Sequence, residues 1–131
     1  MPQPSFTLAP GDPGALFAAA DWHQTVADAL TVHAGTIRAA AGSTAAFWQG
    51  EAASAYQSLA GNMAFGFEIA ATKSGDAAAI YRHLASEVQR CQEEGQTALR
   101  GAQHWCDQAV AANGRLTTCR GCRPAGRPSP H

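Results

Sequence analysis

Charge is scarce in this 131-residue chain: Asp, Glu, Lys and Arg together make up 15%, against about 25% in ordinary soluble domains. Long hydrophobic runs are missing too. The stretch Ala15–Ala20 is cut short by Asp21 and His23, far below the roughly 20 apolar residues that span a bilayer, so no membrane insertion is expected. The opening Met1-Pro2-Gln3-Pro4-Ser5-Phe6-Thr7 has neither the basic start nor the apolar core of a Sec signal peptide; export would need a Sec-independent route. The glycines are dispersed, without the G-x-G-x-x-G or Walker spacing that cradles phosphate. No strand-to-helix elbow presents a serine, and the histidines are scattered. Adjacent Glu93 and Glu94 point about 100° apart on a helix, as a solvated face does and a carboxylate pair does not. These absences predict a non-enzymatic protein with no catalytic residues and no cofactor.

The four cysteines do not form a stapled framework. On one straight helix Cys91 and Cys106 would stand roughly 22 Å apart, beyond disulfide reach. Cys119-Arg120-Gly121-Cys122 has C-x-x-C spacing, but zinc needs two further ligands and a redox pair needs a helix N-terminus. His104, Cys106 and His131 show no paired metal spacing, so no metal site is expected. Charge is uneven along the chain: residues 1–113 hold all ten acids against five bases, a body of −5, whereas Arg115, Arg120, Arg123 and Arg127 give the remainder +4. Pro124, Pro128 and Pro130 with Gly121 and Gly126 mark 114–131 as a disordered basic tail. No aromatic residue interleaves its arginines, so nucleic-acid binding is not expected.

What the chain does have is alanine, which favours helix without bulk. Prolines 2, 4 and 10 with Gly11 predict an irregular lead-in over 1–11. Asp12-Pro13 is a helix start: the carboxylate accepts from an orphan amide and proline at the first position loses no bond. A first helix is predicted over 13–42, with Leu16, Ala19, His23, Val26, Leu30, His33, Ile37 and Ala40 recurring at steps of three and four as a partner-facing seam. His23 and His33 on that seam read as hydrogen-bonded or edge-exposed side chains. After Gly42-Ser43, Phe47-Trp48-Gln49-Gly50-Glu51 reads as a turn in which Gly50 supplies positive φ and Trp48 caps the end of the core. Tyr56, Leu59, Met63, Ile69 and Ala70 then mark one periodic face, and Ile80, Leu84, Val88, Cys91, Leu99, Ala102 and Cys106 another. Ser74-Gly75-Asp76 between them predicts a break or kink, giving helix over 51–73 and 76–112 and an end near Asn113-Gly114.

Phe65 and Phe67 lie 200° apart on a helix. Either one of them marks an intermolecular surface or both belong to a wide apolar stripe inside a bundle. An alanine-rich hairpin buries little area at roughly 25 cal/mol per Å², so it is expected to be marginal alone and to gain stability by pairing. The proposed interface is Leu16, Val26, Leu30, Ile37, Tyr56, Leu59, Met63, Phe65, Phe67, Ile80 and Leu84.

At Phe47-Trp48-Gln49-Gly50-Glu51-Ala52-Ala53-Ser54-Ala55-Tyr56 the chain resembles the WXG family of small secreted helical proteins, in its actinobacterial type VII secretion group. The resemblance covers about residues 12–112 and places Trp48 and Gly50 between two long alanine-rich helices. Gly11-Asp12-Pro13 looks like a feature of longer, toxin-associated members. The resemblance implies an all-α antiparallel hairpin (12–113) with a W-x-G turn, completing a four-helix bundle as a homodimer or as a heterodimer with a related hairpin. It further implies handling by the type VII secretion machinery, so that the protein is cytoplasmic before export and then secreted or at the cell surface. Members carry a tyrosine followed four residues later by an acid; here Tyr81 is followed at that distance by Ala85, with Glu87 two residues further on. Two other expectations stand beside this one: the truncated targeting domain of a longer secreted toxin-type protein, and an unrelated helical adaptor.

Overall fold

A computed structural model of the protein describes residues 10–121, with side chains described through residue 115. Two helices hold 92% of the described residues and none of these lies in a strand. Helix α1 runs Pro13–Thr44 and helix α2 runs Glu51–Gly121. The start of α1 follows the sequence: the Ala15 amide donates to Asp12 Oδ1 at 3.2 Å and Pro13 occupies the first turn. Gly11 just ahead has φ +144°, and a Cβ there would stand 3.0 Å from Val88 Cγ1. Glycine is required at that place both for the backbone angle and for the approach to Val88.

The residues Gly11–Arg90 form one compact unit, an antiparallel hairpin whose core is alanine alone. Ala20, Ala27, Ala34 and Ala41 are the buried residues of α1, and Ala53, Ala60, Ala64, Ala71, Ala78 and Ala85 those of this part of α2; no larger side chain is fully buried among the described residues. The α1 alanines are spaced by seven, one heptad apart. With them at position a, Leu16, His23, Leu30, Ile37 and Thr44 take position d and are half-buried. On α2, Gln57, Ala64, Ala71, Ala78 and Ala85 are a, and Ala53, Ala60, Phe67, Ser74, Tyr81 and Val88 are d. The contact of Gln57 Nε2 with Thr44 Oγ1 at 3.2 Å sets the register. Counting by sevens from it puts Ile37 opposite Ala64, Leu30 opposite Ala71, His23 opposite Ala78 and Leu16 opposite Ala85, a bulky side chain against an alanine at each level.

One row of the expected α1 seam is therefore displaced by a single residue. Leu16, His23, Leu30 and Ile37 face α2 as expected, but the companion row is Ala20, Ala27, Ala34 and Ala41, not Ala19, Val26, His33 and Ala40. Helices meet where side chains are smallest, and the branched Val26 and the ring of His33 are rotated to the flank. For the same reason Leu59, Met63, Ile69, Ile80 and Leu84 turn away from α1 and are exposed.

No break occurs at 74–76; α2 passes through in helical geometry. A serine bends a helix by bonding its own backbone, but the Ser74 hydroxyl donates instead to the His23 carbonyl across the seam at 3.1 Å. Its oxygen then accepts from His23 Nδ1–H at 3.4 Å. Nor does α2 stop at Asn113-Gly114. Positive φ occurs among the described glycines only at Gly11 and Gly50, so Gly114 does not adopt the left-handed geometry that ends a helix. Of the expected tail, 114–121 is helical and 122–131 lies outside the described residues, as does Cys122 of the C-x-x-C pair. From Cys91 onward the chain belongs to a second unit, in which Trp105 and Val110 are exposed and Cys91 and Cys106 are free, exposed thiols.

Two stability measurements check this packing. Ala34→Leu should cost roughly 1–3 kcal/mol by forcing the helices apart, whereas Ala39→Leu, on the exposed side of α1, should stay within about 0.5 kcal/mol of neutral. In thermal unfolding followed at 222 nm, equal melting temperatures for the two variants would contradict the alanine seam. A Cβ added to Gly75 meets nothing within 4 Å, so Gly75→Ala should raise stability by about 0.5–1 kcal/mol. A loss would point to the kink that the sequence suggested.

A candidate helix-docking face

The turn is built from two devices. Beyond Thr44 the chain tightens through amides of Phe47 and Trp48 that donate to the Thr44 carbonyl at 3.2 and 2.9 Å. Gln57 Nε2 donates to the Ala41 carbonyl at 2.6 Å, tying the first turns of α2 to the end of α1. Gly50 then takes φ +111° and starts α2, its carbonyl accepting from the Ser54 amide at 3.0 Å. Only glycine occupies that angle readily, which gives the second letter of W-x-G a backbone reason. Trp48 differs from expectation: it is 41% exposed and lies over Tyr56 with ring centroids 5.6 Å apart. The core ends in alanine, so no bulky plug is needed, and the indole sits on the surface of the turn.

In an antiparallel pair the two e rows flank one side of the seam and the two g rows the other. The e side is polar. Arg38 grips Glu68 through two hydrogen bonds, Nε to Oε1 at 3.0 Å and Nη2 to Oε2 at 2.9 Å, and Arg82 approaches Asp21 at 3.4 Å. Hydrogen bonding from Arg38 holds the Glu68 carboxyl below its usual range and raises the Arg38 guanidinium. Near the free end, Arg90 lowers the Glu87 carboxyl in the same way.

The g side is apolar. Tyr56, Met63, Ala70, Ala77 and Leu84 occupy g on α2, and the c row beside them carries Leu59, Gly66, Lys73, Ile80 and, at its end, Glu87. Together they form a second stripe of three- and four-residue steps about 100° around the helix from the seam. Leu59, Met63, Ile80 and Leu84 are 46–67% exposed. On α1 the matching rows are Ala19, Val26, His33 and Ala40 with Trp22, Ala29 and Thr36, of which Trp22 is 62% exposed. Four sequence-derived interface residues thus share this face, with Tyr56 and Val26 half-buried at its inner edge. Leu16, Leu30 and Ile37 are spent within the hairpin. The phenylalanines separate: Phe67 points inward, 6.3 Å from His33 between ring centroids, while Phe65 is exposed on the opposite side of α2. Trp22 escaped the sequence analysis, although its three- and four-residue steps to Ala19 and Val26 carry the signal.

No group of three or more His, Cys, Asp or Glu side chains among the described residues could hold a metal ion. No described helix is long and apolar enough to cross a membrane. In the seam His23 meets Ser74 and Tyr81, the last stacked on the imidazole at 5.3 Å, and all three sit between the helices where they serve packing.

The Arg38–Glu68 pair has a signature in acid. Folding lowers the Glu68 pKa from an ordinary value near 4.5, so the pair's contribution is complete above that pH and is lost as pH falls through the lowered folded value. Glu68→Gln should therefore be less stable than the parent at neutral pH, with the gap closing in acid and in high salt. A gap in melting temperature that persists unchanged in acid would mean that the pair is not the cause. No family model, no curated protein and no solved structure matches the chain.

Proposed function

We propose that this protein is a non-enzymatic helical interaction protein of type VII secretion, acting as substrate or as secretion partner through helix–helix pairing. The observation that carries the pairing is the g-side face: four large apolar side chains on α2, in two pairs near the ends of one stripe, are left to solvent beside a hairpin whose other side is closed by ion pairs. Contiguous apolar surface of this kind marks interaction sites in soluble proteins. The secretion reading rests on the resemblance at residues 47–56, and the positions of Trp48 and Gly50 at the turn of a helical hairpin support it. On this reading the chain is made in the cytoplasm and leaves it, by a Sec-independent route, in a paired and folded form.

The test has two parts. Co-expressed with the product of the neighbouring gene, the chain should co-elute with it on size exclusion or elute alone at the size of a dimer. In the native host it should reach the culture filtrate or cell surface only while the type VII ATPase is active. Export that is indifferent to that ATPase would remove the secretion reading. Elution as a lone monomer under all conditions would remove the pairing.

A further inference from the structure

Helix α1 begins at Pro13, which the seam register sets level with Val88. Helix α2 does not stop there; it continues to Gly121, and the heptad continues with it. Counting on from Val88, positions a and d fall on Gln92, Gly95, Leu99, Ala102 and Cys106. Of these, Gln92, Gly95 and Leu99 are half-buried, whereas every residue over 100–115 is exposed. A half-buried stripe at three- and four-residue steps marks a helix face with something laid against it.

The edges of this face differ from those of the hairpin. Between Cys91 and Cys106 every acidic or basic residue, Glu93, Glu94 and Arg100, lies at b or c. The e edge, which carries Glu68 and Arg82 in the hairpin, becomes Gln89, Gln96 and Gln103. A docked helix has no use for an amide at every seventh residue, because its backbone groups bond one another. An extended chain leaves its backbone groups in need of partners, and glutamine both donates and accepts.

The lead-in has the matching pattern. Pro2, Pro4, Phe6 and Leu8 alternate with Gln3, Ser5 and Thr7, which gives an extended chain one apolar and one polar face, and each proline favours extended backbone in the residue before it. We infer that residues 2–9 lie along α2 as an extended strap, antiparallel to the helix, over residues 92–99. The starting point is given by Gly11, where a Cβ would stand 3.0 Å from Val88 Cγ1. An extended chain rises about 3.1 Å per residue and a helix about 1.5 Å, so each strap residue passes two of α2. Leu8 then comes level with Gly95, a bulky side chain against none, and Phe6 with Leu99, where the half-burial ends. The pattern of bulk against a small residue thus continues past the end of α1. A second helix can take this stretch of α2 only by displacing the strap.

The strap stands whether or not the hairpin pairs, and amide hydrogen exchange tests it. Removing residues 2–9 should lower protection across 92–99 by about tenfold or more, the loss expected when a large apolar side chain is uncovered, with protection of 20–71 unchanged. Phe6→Asp and Leu8→Asp should act as the deletion does, while Ser5→Asp and Thr7→Asp, on the polar face of the strap, should not. In a chain whose four cysteines are replaced by serine, the Leu8→Cys, Gly95→Cys double variant should close a disulfide within the monomer on mild oxidation. The Leu8→Cys, Thr97→Cys variant should not, because Thr97 is about 200° around the helix from Gly95. Protection at 92–99 that is indifferent to the deletion, or that falls equally in Ser5→Asp and Phe6→Asp, overturns the inference. Cross-linked dimers in place of closed monomers also overturn it, since the occupant is then the lead-in of another copy.

Discussion

The hairpin depends on one spacing constraint: the two helices approach closely enough only if a small side chain stands at each level of the seam where the other helix offers a bulky one. Alanine every seventh residue on α1, and an alanine opposite each bulky d residue of that helix from Leu16 to Ile37, satisfies it. Close approach is gained, but each alanine contributes little buried area. The contact line has room for a bulky apolar residue only opposite a small one, as at Leu16, Leu30 and Ile37, and Leu59, Met63, Ile80 and Leu84 lie on the flank. The exposed face of Leu59, Met63, Ile80 and Leu84 is therefore a direct result of how the core is built.

The two flanks divide the work. Arg38–Glu68 and Arg82–Asp21 reach across the e side, where ion pairs between half-exposed groups are worth little in energy but occupy the surface with solvated charge. Among the described residues no ion pair reaches across the g side, where Glu87 pairs only along its own helix with Arg90. A hairpin that is polar along one seam edge and apolar along the other offers partners one orientation.

Much of this was legible in the sequence. The helix start at Asp12-Pro13, the turn at Trp48 to Gly50 and the row Leu16, His23, Leu30, Ile37 all follow from local rules of capping, positive φ and periodicity. The second row of the seam did not follow, because a search weighted by bulk selects Val26 and His33 over Ala27 and Ala34, whereas the packing rewards smallness. The unbroken helix at Ser74-Gly75 was hidden for a different reason: the partner of the Ser74 hydroxyl lies 51 residues away, beyond any local rule. Trp48 was misplaced because a large ring beside a turn ordinarily caps a core, and this core has no width to cap.

The ladder of contacts also fixes an order of assembly. Thr44 and Gln57 meet across 13 residues of chain, His23 and Ser74 across 51. Loop-closure entropy rises with the logarithm of that separation, so beginning at the distant layer costs about 1.2 kcal/mol more than beginning at the near one. The strands of the ladder therefore join from Gly50 outward. Each completed level shortens the loop that the next must close, and the level of Gly11 and Val88 is the last to form and the first to fray.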